Sequence, residues 1–155
     1  MVRSLKKFFD KYIQPAQDKP DEVSEHSLQL ATAALLIEMM RADATVRENE
    51  QETVMKTIQS KFSLDREETQ TLLHLADEEI GKASGYYAFT SLINKGFPYQ
   101  QKVRVIEYLW EVAFSDAELE KHEEHMVRKI ADLIYVEHKD FIEAKLRVKK
   151  KLAVQ

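Results

Sequence analysis

The sequence predicts an all-α fold, a compact bundle of about seven to eight helices. Apolar residues recur every three or four positions along most of the chain, and only 3 Gly and 3 Pro interrupt 155 residues. One acidic segment also occurs twice. It reads Glu38-Met-Met-Arg-Ala-Asp43-Ala-Thr-Val46, continuing to Glu50 and Val54, and again Glu111-Val-Ala-Phe-Ser-Asp116-Ala-Glu-Leu119, continuing to Glu123 and Val127. Asp116 follows Asp43, and Glu123 follows Glu50, by the same 73 positions. Each copy lies where one helical pattern ends and the next begins, so the bundle contains two pseudo-symmetric helical-hairpin repeats.

The elements follow in order. Residues 2–13 are amphipathic, with Val2, Leu5, Phe8, Phe9, Tyr12 and Ile13 opposite Arg3, Lys6, Lys7 and Lys11. Read plainly, this helix docks its aromatic stripe on the domain; the alternative is a membrane-surface or partner-binding helix. Pro15 and Pro20 then break the chain, making 1–23 an amphipathic helix and linker. Ser24 caps a long helix running through Leu28, Leu30, Ala31, Ala34, Leu35 and Ile37 to about Ala42. A short turn at Asp43 leads to a second helix, opened by a Thr45/Glu48 capping box and continuing to about Phe62.

Asp65 and Glu68 form another capping pair, ahead of a helix with Leu72, Leu73, Leu75, Ala76 and Ile80. A short helix is expected over 86–94, with Gly96 in the left-handed position after it and Pro98 starting the next. That next helix, to about Phe114, carries Val103, Ile106, Leu109, Trp110 and Ala113. Beyond the second acidic turn come helices over roughly 120–135 and 138–151. The basic end, Lys145, Arg147 and Lys149 to Lys151, reads as positive charge at a helix carboxyl terminus with a solvated tail.

Length and composition predict one domain over 1–155, able to bury roughly two thirds of its unfolded surface. There is no cysteine, which excludes disulfides, thiolate chemistry and cysteine-ligated zinc or iron–sulfur sites. A net charge of -4 disfavours broad phosphate neutralisation, so no nucleic-acid partner is expected. No apolar run reaches the length of a membrane span, and residues 1–9 lack a signal-peptide core, so a cytoplasmic protein is expected. No Gly-x-Ser-x-Gly elbow, phosphate-binding Gly-rich loop or dinucleotide fingerprint occurs, and no catalytic activity is expected.

Chemistry concentrates in the acidic turns. Chain reversal brings Asp43 towards Glu50 and Asp116 towards Glu123, and a pseudo-two-fold relation would make all four carboxylates converge. Converging carboxylates need a compensating charge or donor. A hard cation, calcium or magnesium, fits such oxygen ligands, with Glu38 and Glu111 extending the acidic surface. The alternative is purely structural: Asp in a short turn accepts from the next helix's amides, and Glu in a first turn favours the positive dipole end. Neither copy has the EF-hand ligand pattern. His122 and His125 share a helical face with Glu124, but His-Glu-Glu-His is not the zinc-protease motif, and ordinary solvated histidines are the simpler reading.

The paired Ala-Asp and Ser-Asp turns, each leading into a Glu-rich helix start, resemble the tellurite-resistance TerB family of small helical bacterial proteins. Ala-Ala-Leu-Leu-Ile-Glu at 33–38, Val-Arg-Lys-Ile-Ala-Asp-Leu-Ile at 127–134 and His138-Lys-Asp-Phe-Ile-Glu-Ala-Lys-Leu-Arg147 look closer still to one bacterial branch of it. The resemblance spans about residues 24–148. It implies a two-repeat bundle, an acidic metal-associated surface, and a role in stress response or membrane-linked complexes. The positions it implies as metal ligands are Asp43, Glu50, Asp116 and Glu123, with Glu38 and Glu111 less direct. Ala44 and Ala117 stand where the family's turn has glycine, and alanine in a left-handed conformation there would carry a steric cost.

The expected function is therefore non-catalytic: binding of a divalent cation or a protein partner through the duplicated acidic face. An adaptor that meets a basic partner without metal is the alternative. A third reading is a peripheral membrane module using residues 2–13 and the basic tail.

Overall fold

Eight consecutive residues of the first helix, Leu30 through Ile37, are buried, which places that helix inside the bundle rather than on its surface. In the computed structural model, the structure describes residues 10, 11, 13, 24–42, 48–80, 90, 93–115 and 123–153; the side chains of 38–42, 48–51, 75–80 and 123–124 fall outside that description. The helices are α1 (Glu25–Ala42), α2 (Glu48–Lys61), α3 (Arg66–Ile80), α4 (Tyr99–Ser115), α5 (Glu123–Leu133) and α6 (His138–Ala153). No strand occurs among the described residues.

α1 begins as its sequence dictates, with the Ser27 amide donating to Ser24 Oγ at 3.2 Å. Thr32, buried among apolar neighbours, satisfies its hydroxyl by donating to the Leu28 carbonyl at 2.8 Å. α3 opens on the full capping box: the Glu68 amide donates to Asp65 Oδ1, and the Asp65 amide donates to Glu68 Oε1. The Thr45/Glu48 box expected before α2 lies outside the described residues, as do most of the amphipathic segment 2–13 and most of the helix expected over 86–94. Within those stretches, Asp10 and Lys11 are helical, Ile13 joins the core, and residues 90 and 93–96 are helical.

α2 and α5 end in the same way. Ser63 and Tyr135 take left-handed backbone conformations, with φ of 53° and 60°. Behind Ser63, the Leu64 amide reaches back to the Gln59 carbonyl and the Ser63 amide to Ser60; behind Tyr135, Val136 reaches Ala131 and Tyr135 reaches Asp132. Each is a complete Schellman closure, with a buried apolar residue, Leu64 or Val136, just beyond it.

Gly96 departs from expectation. No described glycine has a positive φ, and Gly96 is helical, with the Phe97 amide still donating to the Ile93 carbonyl at 2.9 Å. The stop comes instead from Pro98, whose ring disfavours helical geometry in the residue before it. The Pro98 carbonyl then accepts from Gln101 and Lys102, so proline itself initiates α4.

α4 is the hub. It packs against α1, α2, α5 and α6, while α1 packs against α2, α3 and α4. Trp110, fully buried on α4, lies 5.5 Å from the Phe114 ring and 5.4 Å from Phe141 of α6. Its indole N–H has no partner among the described residues, and an unpaired donor costs about 1–3 kcal/mol, which the burial of so large a ring offsets.

A β-carbon in the left-handed region costs about 1–2 kcal/mol, and Ser63 is exposed. Ser63→Gly is expected to raise the unfolding free energy by about 0.5–1 kcal/mol, read from urea melts; a destabilised variant would show that the turn is not strained.

Candidate functional site

The duplicated acidic segment falls at equivalent places in the fold. α1 ends at Ala42, one residue before Asp43, and α4 ends at Ser115, one residue before Asp116. Glu50 is the third described residue of α2 and Glu123 the first of α5. The two helices that lead into the turns, α1 and α4, pack directly on each other.

The turns themselves, with Asp43, Ala44, Asp116, Ala117 and His122, lie outside the described residues, and so do the side chains of Glu38, Glu50 and Glu123. His125 is exposed. Among the described residues, no group of three or more His, Asp or Glu side chains is placed to hold a metal ion.

Glu111 is the one member of the acidic set whose side chain is described. It is 5% exposed, and its Oε1 accepts from Lys151 Nζ at 2.7 Å. Rather than extending an open acidic surface, it lies inside the seam between α4 and α6. One turn earlier, Glu107 Oε2 accepts from Arg147 Nε at 3.0 Å, and Glu107 Oε1 from Arg104 at 3.4 Å. At the start of both helices, Tyr99 donates its hydroxyl to Asp140 and accepts the Glu137 amide at 3.0 Å. The three rungs advance together along the chain, so α4 and α6 run parallel.

The first half of the chain has a counterpart to the last of these rungs. His26, in the opening turn of α1, lies 2.8 Å from Glu68 in the opening turn of α3, as Tyr99 of α4 meets Asp140 of α6. In both halves the amide at the head of the third helix is satisfied, by Glu68 in one and by the Tyr99 hydroxyl in the other.

Between the halves, Glu25 Oε1 of α1 accepts from both Tyr108 Oη at 2.8 Å and Arg104 Nε at 3.2 Å of α4. The Arg104 guanidinium also covers the Tyr108 ring at 4.4 Å. Burial, and then the hydrogen bond to Glu25, push the Tyr108 hydroxyl up to about 12. Burial opposes the Arg104 charge, but Tyr108, Glu25 and Glu107 outweigh it and hold the guanidinium above its usual value.

The sequence reading took Arg147 and Lys151 as part of a solvated basic tail and did not single out Glu107. A signal was present. Glu107 and Glu111 stand four apart on one helix and Arg147 and Lys151 four apart on another, the spacing of matched stripes on facing helices.

Removing Lys151 leaves a buried carboxylate without its partner. Lys151→Met is expected to destabilise the fold by about 2 kcal/mol, and the double variant Glu111→Met/Lys151→Met to regain most of it; equal losses in denaturant melts would show that the pair is not coupled. Tyr108 ionises at higher pH in the folded chain than at its ordinary 10.0. Its contribution to stability is therefore complete below pH 10 and disappears as pH rises towards about 12. Melting temperature is expected to fall more steeply over that interval in the wild type than in Tyr108→Phe; parallel curves would contradict it.

Comparison with known proteins agrees with this architecture. Residues 29–146 match the family model described as tellurite resistance protein TerB, a span that runs from α1 into α6 and includes both acidic turns. No match was found among curated proteins or solved structures. With most of its length, its helical architecture and both acidic segments inside that match, the chain belongs to the TerB family.

Proposed function

We propose that this TerB-family chain works by binding rather than catalysis, taking up a divalent cation through the two acidic turns. The observation that carries the reading is positional: in a segment repeated at an offset of 73 residues, the aspartates Asp43 and Asp116 each follow directly on the last described residue of a central helix. A pseudo-two-fold relation between the halves would bring the four carboxylates together. Asp43, Glu50, Asp116 and Glu123 supply the ligands, with Glu38 behind the first pair. The donor set is all oxygen, suited to calcium or magnesium rather than to a soft metal. Ala44 and Ala117 stand where the family's turn has glycine, and a left-handed conformation there would cost each alanine its steric penalty. The setting is cytoplasmic, in the response to tellurite or another stress.

A second reading has its own support. Glu111, within the repeated segment, already has its carboxylate on a lysine ammonium. Acidic positions of this segment thus serve as receptors for basic side chains, and an adaptor would use Glu50 and Glu123 in the same way on a partner protein.

Calorimetric titration of metal-stripped protein with calcium and magnesium, together with thermal melts, tests the first reading. Binding is expected to raise the melting temperature, and Asp43→Asn combined with Asp116→Asn to abolish the rise. If no divalent ion shifts the wild type, the metal reading fails. Partner capture that survives chelator but is lost in Glu50→Lys/Glu123→Lys would then carry the adaptor.

A further inference from the structure

Tyr135 is a large aromatic residue at a place where the fold needs only a small one. It closes α5 in a left-handed conformation, with φ of 60°, where any β-carbon carries a steric cost. Ser63 makes the same closure at the end of α2, with the same pair of backbone hydrogen bonds, so the turn itself has no need of a ring. The core does not use the ring either: Tyr135 is 73% exposed. Beside it stands a cation. Lys102 Nζ of α4 is 6.0 Å from the ring centroid and meets no acid among the described residues, and burial pushes its ammonium below the usual lysine value. Tyr99, three residues earlier on α4 and 40% exposed, is held in place by its hydrogen bonds to Asp140 and to the Glu137 amide.

We propose that the corner formed by Tyr99, Lys102 and Tyr135 docks a segment of a partner protein that carries a carboxylate beside an aromatic side chain. This surface is separate from the acidic turns and does not depend on ion binding there. Charge complementarity sets the occupant: the carboxylate meets the Lys102 ammonium, and the aromatic side chain covers the Tyr135 ring. Tyrosine suits such a role, since its ring gives a large contact area with few rotatable bonds and its hydroxyl remains free to bond a partner. The surroundings favour protein over nucleic acid. Asn94 donates to the Leu133 carbonyl at 3.1 Å, which seats Lys95 against the end of α5, and Lys139 lies in the first turn of α6. Lys95, Lys102 and Lys139 are balanced by Asp132, Glu137 and Asp140. Aromatic anchors inside a rim of both signs fit a protein interface, whereas a phosphate backbone calls for a positive excess.

Fluorescence anisotropy of a labelled copolymer of glutamate and tyrosine, titrated with the full chain in chelator, tests this. Polyglutamate is the comparison that offers charge without rings. The wild type is expected to bind the copolymer, and polyglutamate at least about tenfold more weakly. Tyr135→Ser, which installs the residue used at 63, is expected to lose about tenfold or more in affinity while keeping the wild-type melting temperature. Lys102→Gln is expected to weaken binding severalfold, and Lys56→Gln, the same charge change on α2, to leave it unchanged. The proposal is overturned by absence of copolymer binding, equal affinity for polyglutamate, or undiminished binding in Tyr135→Ser or Lys102→Gln. Equal loss in Lys56→Gln, a lowered melting temperature in Tyr135→Ser, or equally tight binding of single-stranded DNA also overturns it.

Discussion

The fold depends on the burial of two central helices against each other. α1 is enclosed from Leu30 to Ile37, and α4 buries Val105, Ile106 and the whole run from Tyr108 to Ala113. At about 25 cal/mol per Å² of apolar surface, removing such stretches from water is the main driving force for the bundle. Ala31, Ala33 and Ala34 supply burial without bulk, which leaves room on α1 for three neighbouring helices. Every other helix takes its position from this pair: α2 from both, α3 from α1, and α5 and α6 from α4.

So complete a burial leaves the polar groups of these helices few places to go. Glu111 is buried with the core face of α4, yet its carboxylate is held by a lysine whose stem reaches in from α6. Glu107, one turn back, is held in the same way by Arg147. These pairs add orientation more than net stability, since exposure of the cations weakens their attraction. Their effect is to set the parallel alignment of α4 and α6, which apolar packing of Phe141, Ala144 and Val148 would leave free to slide by a turn.

The same succession among the described residues, a central helix, then a short helix, a Schellman closure and a flanking helix, occurs in both halves. Its local chemistry is not copied letter for letter. Ser63 corresponds in role to Tyr135, and the contact His26 makes with Glu68 corresponds to that of Tyr99 with Asp140. What recurs is the need to satisfy the same orphan amides and carbonyls at the same helix ends.

Local rules were enough to read the helices themselves. The Ser24 cap, the Asp65/Glu68 box and the apolar spacing of α4 act within a few residues, so all were legible in the sequence, as was the family through its repeated acidic segment. Gly96 was misread because a glycine is only permitted, not obliged, to turn left-handed, and the neighbouring Pro98 had already ended the helix. The tertiary structure alone decided which charges of α4 and α6 are buried and which of the latter meet an acidic partner among the described residues. Arg147 and Lys150 are indistinguishable by composition, and only the direction in which each leaves a packed helix gives one an acidic partner and leaves the other facing water.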